Sequence, residues 1–111
     1  MIVDIQRTGS VVVLIAEGHV DSANAPEFQS AICAAIESTD QMVILDLEKV
    51  PFMSSAGLRT VLMVSKDLQK RNARVAVCSP LQMVRDVFII SGFEGIIGMY
   101  NTQRDALASV D

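Results

Sequence analysis

The sequence is poor in the residues that build most catalytic and metal sites. Its 111 residues include one histidine and two cysteines, and their positions show no metal-ligand spacing. His19, the single histidine, follows a predicted strand, and the neighbouring sequence supplies no partner to orient it as a general base. We therefore interpret His19 as a loop residue. The chain is expected not to be an enzyme and to need no metal or other cofactor.

Long apolar segments and export signals are also absent. No apolar run exceeds six residues, whereas a membrane-spanning helix needs about 20. The amino terminus lacks the basic segment and the small-residue cleavage site of a signal peptide. These absences predict a cytoplasmic protein without membrane insertion. Cys33 and Cys78 lie among apolar neighbours, so we expect both to be reduced core residues.

Basic charge is scarce in the first half of the chain. Nine basic and thirteen acidic residues give a net charge of −4, which argues against nucleic acid and anionic membranes as partners. Residues 1–50 carry a net charge of −6, whereas residues 51–111 carry +2. A protein partner could therefore meet two faces of opposite sign. The acidic first half and the soluble composition predict a monomer.

What the sequence does contain is a regular alternation of strand and helix patterns. Half of its residues are hydrophobic, which is enough for one core in a single domain spanning residues 1–111. The apolar run that begins at Val11 predicts an interior strand covered on both faces. Strands are predicted over 2–7, 11–18, 42–47, 75–78 and 96–100, and helices over 26–38, from 57, over 80–90 and after Thr102. This order, ββαβαβαβα, indicates an α/β domain with a mixed sheet of about five strands and about four helices.

The third helix is predicted from its start signal and its apolar face. The segment Ser79-Pro80-Leu81-Gln82 combines a capping box with proline at the first helical position. Apolar residues then recur at helical spacing, and Ile89 and Ile90 are expected to complete the buried face before Gly92 ends the helix.

The most informative stretch is Val50–Arg59, which follows a predicted strand. Residues 48–56 are expected to form a loop, in which Phe52 and Met53 precede two serines; Gly57 then allows close backbone approach as the helix begins. Local chemistry favours the serines as helix caps. The alternative is a switch, because a phosphate on Ser55 would be tolerated at a helix N-terminus but would repel a docked partner.

Three segments resemble the STAS domain family, and specifically the small anti-sigma factor antagonists of bacterial partner-switching systems. They are residues 18–21 (Gly-His-Val-Asp), residues 43–47 and, most specifically, Phe52–Arg59. The resemblance implies that the unphosphorylated protein binds an anti-sigma factor with serine kinase activity and frees that factor's target. Phosphorylation of Ser55 would end this binding, and a PP2C-type phosphatase would restore it. ATP would belong to the kinase.

Two positions depart from the usual family pattern, Asp-Ser-Ser/Thr-Gly-Leu. Ser54 replaces the aspartate, which makes it an alternative phosphate acceptor, and Ala56 replaces the second hydroxyl residue. The resemblance and the helical spacing together predict a docking face, although a solvated helix face explains its α-helical residues equally well. Its members are Asp21, Ser22, Met53, Ser54, Ser55, Ala56, Gly57, Arg59, Met63 and Lys66.

STAS domains have other tasks, which define the competing hypotheses. They form scaffolds of stressosomes, subunits of lipid-transport complexes and the cytosolic part of anion transporters. The transporter role needs a membrane portion that this sequence lacks. The scaffold and lipid-transport roles stay open as non-enzymatic alternatives.

Overall fold

The order of helices and strands agrees with the sequence prediction. The computed structural model describes residues 1–110, except for the side chain of Glu94. Its elements are β1 (Ile2–Thr8), β2 (Val11–Glu17), α1 (Ala25–Ala35), β3 (Met42–Lys49), α2 (Ser55–Gln69), β4 (Arg74–Cys78), α3 (Gln82–Ile90), a 3-10 turn (Phe93–Gly95), β5 (Gly98–Tyr100) and α4 (Gln103–Ala108). The predicted α/β class and the order ββαβαβαβα are confirmed.

The strands form one mixed sheet in the order β1-β2-β3-β4-β5. β1 and β2 are antiparallel and are joined by a short turn in which Gly9 has a φ of +61°, a conformation that favours glycine. The other neighbouring strands are parallel. In β2, Val12, Val13 and Leu14 are at most 3% exposed, so the predicted interior strand with two covered faces is confirmed.

Helices cover the two faces of the sheet unequally. One face packs against α1, α2 and α3, where Phe28, Leu58 and Phe88 share a core with the strand residues Leu14 and Leu45. The opposite face packs against α4 through a smaller cluster that contains Ala106, Ile44 and Ala76. Because β2, β3 and β4 are parallel, the segments that follow them emerge at the same edge of the sheet. That edge carries the amino-terminal ends of α1 and α2.

Helix α1 ends three residues earlier than the sequence predicts. Its last residue is Ala35, and Ile36 already has extended backbone angles. The Ala35 carbonyl accepts a hydrogen bond of 2.8 Å from the guanidinium of Arg7 on β1. This long-range contact satisfies a carbonyl group at the helix end, so the chain can leave the helix there.

The predicted start of α3 is wrong. Ser79 has a φ of +54°, and the helix begins at Gln82 without a side-chain cap. The backbone N–H of Ser79 instead donates to the carbonyl of Tyr100 at 3.0 Å, which continues the pairing of β4 with β5. Ser79 therefore extends the sheet, although the capping-box pattern assigns it to the start of the helix.

The predicted apolar face of α3 is also wrong at its carboxyl end. Val84 and Phe88 are its buried residues, whereas Ile89 is 43% and Ile90 is 84% exposed.

The strand predicted over 96–100 is shorter in the structure and comprises only Gly98–Tyr100. The N–H groups of residues 96 and 97 both bond to the Phe93 carbonyl in the 3-10 turn, so they are not available to the sheet.

The two cysteines have different environments, and both are free thiols. Cys78 is buried as predicted, and burial raises the pKa of its thiol to about 12. The core prediction is wrong for Cys33, which is exposed because the inward positions of α1 are taken by Phe28, Ile32 and Ala35. Among residues 1–110, no helix is both long and apolar enough to cross a membrane.

Candidate functional site

An isolated pairing between Val20 and Met53 joins the two loops at the carboxyl edge of the sheet. The N–H of Val20 donates to the Phe52 carbonyl, and the N–H of Ser54 donates to the Val20 carbonyl, each at 2.9 Å. Both Val20 and Met53 are fully buried. The bridge therefore fixes the segment around Asp21 beside the two serines, which lie more than thirty residues further along the chain.

Gly57 lets the first turn of α2 pack directly on this bridge. A Cβ atom at position 57 would lie 2.7 Å from Cγ of Met53 and 2.7 Å from Cγ1 of Val20. Met53 and Gly57 are both buried, so neither reaches the surface. The contribution to docking that the sequence predicts for these two residues can therefore only be indirect, through the position of the loop.

Replacing Gly57 with alanine is expected to lower the free energy of unfolding by about 1–3 kcal/mol. The added methyl group overpacks the contact with Val20 and Met53, because both side chains are fully buried and lie within 2.7 Å of it. Urea denaturation of the Gly57→Ala variant measures this loss. Gly95→Ala is the matched control, because a Cβ there meets no atom within 4 Å. Equal unfolding midpoints for the two variants would contradict the close packing.

The two serines at the start of α2 have different roles. Ser54 is the N-cap: its Oγ accepts from the N–H of Ala56 at 3.2 Å, and its carbonyl accepts from the N–H of Leu58 at 3.1 Å. Ser55 is the first helical residue and is exposed. Its hydroxyl makes no hydrogen bond to any residue that the structure describes. Only one of the two serines is therefore a cap, and α2 begins two residues before the predicted start at Gly57.

One exposed stripe of α2 continues from Ser55 along the helix. Its members lie at helical spacings of four, four, three and four residues, which at 100° per residue keeps them within an arc of about 80°. The stripe, which we call the basic stripe, consists of Ser55, Arg59, Met63, Lys66 and Lys70, all exposed. Met63 is 48% exposed at its centre. The side of α2 that faces the core includes Leu58, Val61, Ser65 and Leu68, which are all buried.

The loop before α1 is organised by Asp21. Its Oδ1 accepts from the N–H groups of Ala23 at 2.9 Å and Asn24 at 3.1 Å. Its Oδ2 lies 3.4 Å from Nε2 of His19. The carboxylate of Asp21 therefore turns back toward the histidine, a contact that sequence reasoning did not predict. Ser22 lies exposed in the same loop.

The structure thus places the predicted docking residues in one region with two parts. The Asp21 loop and the serines meet through the bridge, and Arg59, Met63 and Lys66 extend from the serines along α2. Ala56, in the first turn of α2, is half-buried. Sequence reasoning missed Val20, whose role depends on a long-range pairing. Its helical spacing put Lys70 on the same stripe as Arg59 and Lys66, but Lys70 was not counted among the docking residues.

Both the sequence and the fold have counterparts among known proteins. Residues 3–106 match the sequence model of the STAS domain. A Bordetella bronchiseptica protein, provisionally named anti-sigma factor antagonist BtrV, is 34% identical over 103 residues, which cover 93% of this chain and 89% of the relative.

Solved structures of SpoIIAA share the fold over nearly their whole length. The unphosphorylated form, described as an anti-sigma factor antagonist, is 27% identical with a TM-score of 0.79, covering 96% of this chain and 94% of the other. The phosphorylated form, a Bacillus cell fate determinant, is 25% identical with a TM-score of 0.72, covering 97% and 98%. From the match over residues 3–106 and the relative at 34% identity, it follows that the chain belongs to the STAS domain family.

Proposed function

We propose that this protein is an anti-sigma factor antagonist of a bacterial partner-switching pathway, controlled by phosphorylation of Ser55. The unphosphorylated form binds a cytoplasmic anti-sigma factor that is also a serine kinase, and this binding frees the kinase's target. Phosphorylation ends the binding, and a PP2C-type phosphatase restores it. The protein acts as a monomeric binding module and kinase substrate, with no catalytic step of its own. The names of BtrV and SpoIIAA support the partner class.

The observation that carries this proposal is the state of the Ser55 hydroxyl. It is exposed, it has no hydrogen-bond partner among the described residues, and it sits on a backbone fixed by the buried Val20–Met53 bridge. A kinase can therefore reach it without unfolding the loop. Ser54 is the poorer acceptor, because its Oγ already caps α2 and a phosphate there would replace the cap.

The docking surface of the proposed complex consists of the Asp21 loop and the basic stripe. Arg59, Lys66 and Lys70 give the stripe a positive charge, which fits an acidic patch on the kinase. The exposed Met63 offers an adaptable apolar contact at its centre. A phosphate at the end of this stripe would meet the same acidic patch and repel it.

Mass spectrometry of the protein isolated from its native cells tests the acceptor. We expect one phosphate on Ser55 in the wild type and in Ser54→Ala, and no phosphate in Ser55→Ala. Fragment spectra locate the modified residue directly. A phosphate on Ser54 would move the switch to the capping residue. The absence of phosphate under all growth conditions would contradict the switch and favour a scaffold or a lipid-transport subunit.

A further inference from the structure

The position of Arg59 connects the proposed acceptor to the rest of the basic stripe. We propose that the guanidinium of Arg59 binds the phosphate carried by Ser55 and thereby stabilises the phosphorylated form of the protein. This inference rests on the proposed function, because it concerns the state that phosphorylation of Ser55 creates.

The geometry of α2 brings the two side chains together. Ser55 and Arg59 are four residues apart on one helix, a spacing that places their Cβ atoms about 5–6 Å from each other. An acidic group four residues before a basic one is also the more favourable orientation of such a pair. Both residues are exposed, so the long arginine side chain can reach back to a phosphate without displacing core residues.

Arg59 has no competing partner among the side chains that the structure describes. The guanidinium groups of Arg7, Arg71 and Arg85 donate hydrogen bonds to other residues. Arg59 takes part in no hydrogen bond or ion pair of this kind, and the positions three and four residues away on either side hold no acidic residue. Its planar fork of N–H donors matches the geometry of phosphate oxygens.

Lys66 provides a comparison on the same stripe. It is exposed and also has no acidic partner, but it lies eleven residues from Ser55, about 16 Å along the helix axis. Lys66 therefore contributes to the positive charge of the stripe without direct contact with a phosphate on Ser55. If substitution of Arg59 affects the phosphate more than substitution of Lys66 does, the phosphate pairs specifically with Arg59. Equal effects would mean that it responds only to the overall positive charge of the stripe.

The pairing gives phosphorylation a second effect on docking. In the unphosphorylated protein, Arg59 is free to meet the acidic patch of the kinase. Once Ser55 carries phosphate, the same guanidinium is held on the protein's own surface. The switch therefore adds negative charge at Ser55 and withdraws the nearest positive charge from the partner.

In any titration of the phosphate, the effect of Arg59 has to be distinguished from the effects of other charged groups beside the serines. His19 and Asp21 lie in the loop that is paired with Ser54, and Lys49 lies where β3 leads into the same region. Of these, His19 is the imidazole of the loop, and its Nε2 lies 3.4 Å from the carboxylate of Asp21. The experiment is therefore repeated with His19→Gln in every variant.

Titration of the phosphorylated protein by phosphorus NMR tests the pairing. Phosphoserine is installed at position 55 during translation, so that no kinase is needed. In the wild type, Arg59 favours the doubly charged phosphate. We expect Arg59→Gln to raise the midpoint of the phosphate titration by about 0.3 pH units, the shift that corresponds to one helical ion pair. Lys66→Gln is expected to shift it by less than about 0.1 units, because screening weakens charges at that distance. Arg59→Lys keeps the charge, so its phosphate is expected to titrate with a midpoint close to that of the wild type.

Two results would overturn the inference: an unchanged midpoint in Arg59→Gln, or equal shifts in Arg59→Gln and Lys66→Gln. A shift that disappears in the His19→Gln background would also overturn it, since the histidine would then be the group that senses the phosphate. Circular dichroism shows whether each variant is folded before titration. The proposed function fails if native cells place no phosphate on Ser55. The titration is independent of that result, because its protein is phosphorylated without the kinase.

Discussion

Phosphoserine at position 55 is expected to raise the Kd for the partner kinase by at least about 100-fold, which corresponds to about 2.7 kcal/mol. The phosphate adds nearly two negative charges at an exposed position of the docking surface. Repulsion and the cost of desolvating this charge in an interface amount to several kcal/mol. The fold itself is expected to tolerate the phosphate. The hydroxyl of Ser55 has no described hydrogen bond to lose, and the amino-terminal end of α2 favours negative charge.

Isothermal titration calorimetry with the purified kinase measures this change in Kd. Ser55→Ala is expected to bind like the wild type, and Ser55→Asp to show an intermediate loss, because one carboxylate carries less charge than a phosphate. Ser38→Asp adds the same charge at another exposed serine, in the loop after α1 at the opposite edge of the sheet, and is expected to leave Kd unchanged. Equal affinities for the phosphorylated and unphosphorylated proteins would contradict the switch.

The sequence predicted the fold well where a local signal and the tertiary structure agree. The apolar run of β2 indicated its interior position. The helix predicted after Thr102 is α4, and Thr102 caps it with a hydrogen bond of 3.0 Å from the Asp105 N–H. The prediction failed where distant residues compete for the same groups. Ser79 carries a helix-start signal, but its N–H bonds to Tyr100 in the sheet.

The candidate site shows the same division. The helical spacing of Arg59, Met63 and Lys66 was readable from the sequence, because it depends only on the period of one helix. The separation of roles between Ser54 and Ser55 was not, since it depends on where α2 begins. That start is set by the cap and by the contact of Gly57 with the Val20–Met53 bridge, which joins segments far apart in the chain.

Asp40→Asn is expected to lower the free energy of unfolding by about 3 kcal/mol, the largest stability loss that we expect from a single polar substitution. The Asp40 side chain is fully buried. It accepts hydrogen bonds from Nε of Arg7 at 2.9 Å, from Nη2 of Arg7 at 2.8 Å and from the N–H of Glu37 at 2.7 Å. The Asn side chain keeps the shape but loses the charge, which leaves the guanidinium of Arg7 without its main counter-charge.

The pH dependence distinguishes this loss from a simple packing defect. The hydrogen bonds from Arg7 hold the pKa of Asp40 below its ordinary value of 3.8. A lowered pKa in the folded state stabilises the protein at pH values above 3.8, and this contribution is lost as the pH falls through the folded-state pKa. Urea denaturation should therefore show a large difference between wild type and Asp40→Asn at about pH 7 and a much smaller one at about pH 2.5. Asp67→Asn is the control, because its contact with Lys70 is 3.8 Å long and exposed, so little stability is expected to depend on it. A difference that stays constant between the two pH values would show that the shape of the Asp40 side chain, and not its charge, stabilises the fold.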